Sequence, residues 1–139
     1  MAIVPLNKNG NIFFVKQFRY PISEILIEIP AGKIDKNEDP LDSARRELEE
    51  EIGASGGELK HLISFYSSPG FCDEIMHIYL AVDFVKKENN LEEDEFLEVI
   101  ELKIDDALSY IKSGKIKDAK TIIGILLACD YIAGENRIL

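Results

Sequence analysis

The chain has 139 residues, 46% hydrophobic and 30% charged, with 26 acidic against 16 basic side chains and a formal charge of −10. That length supports a packed core without staples, and the composition excludes a disordered or collagen-like chain. The acidic balance disfavours binding to nucleic acid or to an anionic membrane, and it repels a phosphorylated ligand unless cations intervene.

Taken in chain order, the apolar runs are strand-length, too short to span a membrane. The opening MAIVPLNKNG lacks the basic region and long apolar stretch of a signal peptide. Residues 2–6 and 11–18, separated by the turn-like Asn7-Lys8-Asn9-Gly10, predict a hairpin. Glu24–Ile29 predicts a third strand, ended by Pro30. A helix follows, with Asp39 as its N-cap, Pro40 in its first turn and Gly53 at its end. Residues 59–66 and 75–85 predict further strands flanking the loop SSPGFCDE, and Phe96–Lys103 another. Asp105–Lys112 predicts a short helix stopped at Ser113-Gly114, and Asp118–Ala133 a longer apolar one closed by Gly134. Strands interleaved with few helices imply an α+β fold or a layered α/β/α sandwich with a mixed sheet. With no repeats and no linker-like stretch, residues 1–139 are expected to form one domain. Cys72 and Cys129 carry neither metal nor redox spacing, which fits a reduced, cytoplasmic setting.

The first helix carries the strongest chemical signal. Leu41, Ala44, Leu48 and Ile52 fall within an apolar stripe of about 80°. Glu47 and Glu51 lie beside it, one turn apart, with Glu50 further round and Glu49 on the other flank. Carboxylates at this spacing repel each other by roughly 0.2–0.5 kcal/mol per pair. A magnesium ion removes that penalty, since it prefers oxygen ligands and binds through a few carboxylates together with phosphate and water. Arg46, four residues before Glu50, is spaced to orient it. A solvated acidic helix face is the bland alternative.

Spacing favours the metal. The stretch GKIDKNEDPLDSARRELEEEIGA resembles the Nudix box, G-x5-E-x7-R-E-U-x-E-E-x-G-U. Gly32, Glu38, Arg46, Glu47, Leu48, Glu50, Glu51 and Gly53 match it, and Ala54 is smaller than the usual final aliphatic residue. The resemblance implies a Nudix fold, with a mixed β-sheet between helices. It also implies hydrolysis of a nucleoside diphosphate linked to another moiety, with Mg²⁺ or Mn²⁺ as cofactor. Carried over by position, Glu47, Glu50 and Glu51 are the metal ligands, Arg46 orients a glutamate, Glu38 supports the loop, and Gly32 and Gly53 serve backbone shape.

Segments outside the box, KQFRYP, EIPAG, SPGFCDE, EEDEFLEV and DAKT, resemble the ADP-ribose pyrophosphatase group, as does Pro69 beyond the box. This implies cleavage of ADP-ribose to AMP and ribose 5-phosphate. The alternatives are a broader nucleoside diphosphate-sugar or dinucleotide pyrophosphatase, and a non-catalytic Nudix-fold sensor. The same resemblance makes the Ala31 carbonyl a metal ligand and places the general base at Glu95, with Glu93 as the alternative. Arg19 offers a planar fork to a diphosphate oxygen. Glu28, Phe71 and Glu74 join it as candidate substrate contacts. His61 and His77 lack ligand spacing and read as structural, and Tyr20, Phe65 and Tyr66 as packing or base-stacking aromatics. The implied partner is a small-molecule nucleoside diphosphate, without nucleic acid or membrane, and a homodimer stays open. The group usually carries an extra N-terminal segment that forms a dimer-swapped sheet and part of the adenine site. This chain begins at AIVPL, in what reads as the first core strand, so that selectivity is not implied.

Overall fold

The structure, a computed structural model, describes residues 1–87 and 98–134. Three sheets organise them. A mixed sheet has the order β1-β6-β5, with β1 (Ala2–Pro5) parallel to β6 (Ile75–Val82) and β5 (Glu58–Tyr66) antiparallel to β6. An antiparallel sheet has the order β3-β2-β8, formed by β2 (Asn11–Arg19), β3 (Glu24–Glu28) and β8 (Glu98–Lys103). A two-stranded ribbon joins β4 (Ala54–Ser55) to β7 (Val85–Lys86).

The hairpin expected from residues 2–18 does not form. The chain does turn at Asn7–Gly10, but only Leu6 and Ile12 bridge beyond it. The strands then diverge into different sheets. Every residue of β1 is buried, because it lies between two apolar layers, and its ladder partner is β6. A half-exposed hairpin strand would alternate instead. The strand expected over 75–85 is also broken. Asp83 takes a left-handed turn (φ 55°), and the chain restarts as β7 beside β4. Of the strand expected at 96–103, residues 96 and 97 lie outside the described residues, and the remainder forms β8.

The mixed sheet is sandwiched. On one face Ala2, Val4, Ile78 and Leu80 pack with Ile125 and Ala128 of α3 (Ala119–Ala133) and Ala107 of α2 (Ile104–Lys112). On the other, Ile3, Tyr79 and Ala81 pack with Ala44, Leu48 and Ile52 of α1 (Pro40–Ile52). Strand alternation sends successive residues of β1 and β6 into opposite cores, which is why both read as continuous apolar runs. Among the described residues no helix is long and apolar enough to cross a membrane.

Helix α1 is punctuated as its sequence requires. The Asp39 side chain accepts from Leu41 N–H at 2.8 Å, and Pro40 occupies the first turn. Gly53 closes the helix at φ 64°, donating back to the carbonyls of Glu49 and Leu48.

Candidate active site

Two loops and the flank of α1 meet around the residues Pro30-Ala31-Gly32 that follow β3. A cavity of about 620 Å³ opens there, lined among others by Arg19, Ala31, Gly32, Glu74, Asp118 and Lys120.

On the helix side, the apolar stripe buries Ala44, Leu48 and Ile52, and Glu47 is drawn down with them to 9% exposure. Leu41 is half-buried and Ser43 takes the innermost place in the first turn. Glu49 is exposed and stands apart, as its angle on the helix requires. Arg46 is the hub. Its guanidinium donates to Glu38 (3.2 and 3.1 Å), Glu47 (2.8 Å) and Glu50 (3.2 Å), and also to the Lys33 carbonyl and Ser43 Oγ. Glu38 in turn accepts from Asp35 N–H at 3.0 Å, which fixes the turn before the helix. The Arg46 contacts and that N–H hold the Glu38 carboxyl down at about 2. The fork raises the Arg46 guanidinium further above its usual value.

Glu51 has no such cation. Its Oε2 accepts from Ala31 N–H at 3.1 Å. Burial lifts its carboxyl to about 7, with the charges of Glu47 and Glu28 adding to the rise and the Ala31 N–H and the charge of Lys120 opposing it. Gly32 belongs to the same cradle. A Cβ on it would lie 1.9 Å from Glu47 Oε1, so the glycine is required by close approach of the carboxylate.

This donor set fits a divalent cation in kind: hard carboxylate oxygens, one of them, on half-buried Glu51, bonded to no cation, beside a backbone carbonyl. Among the described residues, no three such side chains converge as a coordination sphere. Glu47 and Glu50 are turned onto Arg46, and Glu51 onto the Ala31 amide.

The same cavity is lined by two cations, Arg19 and Lys120. Glu28 ends β3, yet it is only 1% exposed, which excludes an ordinary solvent-facing edge glutamate. Arg19 Nε and Nη2 each donate to it at 2.6 Å, and Lys120 Nζ at 2.5 Å. Burial alone would raise this carboxyl, but the bonds from Arg19 and Lys120 outweigh it and hold it below the usual range. Two of the donors that Arg19 was expected to offer a diphosphate are therefore engaged by Glu28. Lys120 also pairs with Asp118 at 3.0 Å. Asp118 caps α3 through Thr121 N–H (3.0 Å) and Thr121 Oγ1 (2.6 Å), and Thr121 Oγ1 receives the N–H of Ile29 (2.9 Å). The segment DAKT thus ties the start of α3 to the end of β3. Sequence reasoning marked that segment without giving Lys120 or Asp118 a role. An Asp followed three residues later by Thr, before an apolar helix, was the available signal.

The loop between β5 and β6 closes the mouth. Glu74 lines the cavity and accepts from Ser67 Oγ at 2.6 Å. Phe71 does not reach this cavity. It is 91% exposed and lines a neighbouring hollow of about 580 Å³ with Tyr66, Pro69, Cys72 and Asp73. Glu93 and Glu95 lie outside the described residues.

Comparison with known proteins finds relatives over most of the chain. The model of the NUDIX domain matches residues 1–122. The chain is 48% identical over 127 residues to a methanol dehydrogenase activator of Bacillus methanolicus, covering 90% of this chain and 69% of that protein. It is 44% identical over the same length to an ADP-ribose pyrophosphatase of Bacillus subtilis, with the same coverage. To a GDP-mannose pyrophosphatase of Yersinia enterocolitica it is 36% identical over 124 residues, covering 83% of this chain and 64% of the other. A crystal structure of an ADP compounds hydrolase superposes with a TM-score of 0.84 at 20% identity, covering 99% of this chain and 74% of that one. That likeness shows the fold, a sheet-and-helix sandwich of the Nudix type.

Proposed function

The chain belongs to the NUDIX family as a pyrophosphohydrolase, and from that premise we propose that it hydrolyses the diphosphate of ADP-ribose to AMP and ribose 5-phosphate. The observation that carries this reading is the juxtaposition at Ala31–Gly32. There Glu51 of α1, bonded to the Ala31 amide and to no cation, stands beside a cavity that Arg19 and Lys120 also line. A dianionic diphosphate matches such a site when divalent metal covers the acidic side.

Glu47, Glu50, Glu51 and the Ala31 carbonyl would hold Mg²⁺ or Mn²⁺. The ion would neutralise the phosphate oxygens and acidify a bound water. Arg46 keeps Glu47 and Glu50 on one side of the helix. Arg19 faces the cavity with its remaining N–H groups, where it can donate to a phosphate oxygen as charge builds. Glu95, or Glu93 in its place, takes the proton of the attacking water as general base. The water oxygen bonds to one phosphorus, the bridging P–O bond breaks, and the second phosphate leaves on its sugar. Glu28 braces Arg19, Glu74 lines the cavity as a substrate contact, and Phe71, on the neighbouring hollow, is available to a part of the substrate that extends beyond it. A small-molecule substrate, a single 1–139 domain and a cytoplasmic setting complete the reading, and a homodimer is compatible with it.

The experiment is release of AMP and ribose 5-phosphate from ADP-ribose, with Mg²⁺ and with EDTA, beside GDP-mannose and other nucleoside diphosphate sugars. Metal-dependent cleavage favouring ADP-ribose supports the proposal. Equal cleavage across the panel replaces it with a permissive diphosphatase, and stable binding without turnover replaces it with a sensor.

A further inference from the structure

The chain contains two histidines, sixteen residues apart, and the fold brings them together. Residues three apart on a regular strand face opposite sides. Strand β5 breaks that rule with a bulge between His61 and Ile63, where His61 pairs with Tyr79 and Ile63 with Ile78. The extra residue returns Ser64 to the face that carries His61, directly across from His77 of β6. His61 Nε2 and His77 Nδ1 then converge on one atom, Ser64 Oγ, at 2.8 and 2.7 Å. The rings are 6.5 Å apart, and the edge-to-face contact of His61 with Tyr79 at 5.5 Å holds its ring in place.

A single hydroxyl proton serves only one of two neutral imidazoles as donor, so the other ring must donate to Ser64. In the alternative tautomer both ring nitrogens direct lone pairs at the same point. Burial holds His77 below its usual value, which keeps it in the neutral, ligating form. His61 and Ser64 are exposed, so the point is open to solvent. A zinc–nitrogen bond of 2.0–2.1 Å asks each ring nitrogen to approach that point by about 0.7 Å, with the hydroxyl turning aside.

We propose that His61 and His77, with Ser64 between them, form a second cation site, selective for imidazole-seeking divalent ions of the Zn²⁺ class. It is separate in chemistry from the carboxylates of α1. Oxygen-seeking Mg²⁺ has no preference for two imidazoles, whereas Zn²⁺, Ni²⁺ and Cu²⁺ do. The proposal does not rest on the hydrolase reading.

Because there are only these two histidines, the imidazole region of a carbon–proton correlation spectrum holds two spin systems. The test is a Zn²⁺ titration of the whole chain in excess Mg²⁺. The expected result is that both rings shift along one saturation curve, and that His61→Gln moves the His77 response to much higher Zn²⁺. His61 is solvent-facing, so its substitution leaves the fold intact. Absence of a shift in either ring, a shift in one ring alone, or an unchanged His77 response in His61→Gln would overturn the site.

Discussion

Around α1, four carboxylates gather by a single guanidinium, that of Arg46, which binds Glu38, Glu47 and Glu50 while Glu51 accepts only from the Ala31 amide. At the end of β3 the ratio is reversed, and one buried carboxylate, Glu28, is shared by Arg19 and Lys120, with Asp118 completing the balance. The second cluster closes on itself: each charge has a partner, and Glu28 stays ionised although buried. The first does not close, since Arg46 reaches three of its four acids, and Glu51 bonds only one amide and feels Lys120 without bonding it. Charge that a fold leaves uncompensated at such cost points to something from outside, whereas charge that it compensates internally points to scaffolding.

If that contrast holds, substitutions on the two sides should fail in different ways. The largest effect is expected at Glu51→Gln or Glu50→Gln. Removing a ligand to a cation worth several kcal/mol of charge stabilisation should lower kcat by roughly 10³-fold, with folding stability retained. AMP release at saturating Mg²⁺ measures it, and near-normal turnover would remove these glutamates from the metal assignment. Next comes Gly32→Ala. The added methyl would lie 1.9 Å from Glu47 Oε1 and must displace that carboxylate. A misplacement of that order costs roughly 10²-fold in rate. Rates close to those of the unsubstituted protein would show that Glu47 swings aside freely.

The uncompensated side was legible in the sequence, because a helix imposes a fixed angular rule. The apolar stripe alone sets Glu47, Glu50 and Glu51 on one flank of the helix and Glu49 on the other, although their carboxylates then turn to different partners. The cap at Asp39 and the stop at Gly53 follow from equally local chemistry. The self-compensated side depends on contacts far apart in the chain, such as Lys120 to Glu28 across 92 residues, for which no local pattern exists. Strand β1 misled for a related reason. A turn such as Asn7–Gly10 sets a change of direction, but which strand becomes the ladder partner depends on where both faces can be buried. The histidines appeared unrelated because sequence spacing assumes a regular strand, and one bulged residue in β5 breaks that register.

The smallest effect, and the sharpest test of the contrast, is the stability of Glu28→Gln. Loss of hydrogen bonds between a carboxylate and two cations should cost about 2 kcal/mol, read from urea unfolding at neutral pH. The sign of its pH dependence follows from the depressed carboxyl. In the unfolded chain a glutamate titrates at about 4.3. In the folded chain the bonds from Arg19 and Lys120 hold Glu28 below that. Its contribution is therefore complete above the unfolded value, and is lost as pH falls through the folded one. Glu38, held at about 2 by Arg46, moves in the same direction in both proteins and cancels from the comparison. Glu51, raised in part by the charge of Glu28, does not cancel between neutral pH and about 5, so the comparison is made below that range, where the gap between the unsubstituted chain and Glu28→Gln should narrow on further acidification. A gap that stays level into strong acid would mean that Glu28 acts by shape alone, and Arg19 and Lys120 would then not be braced by charge.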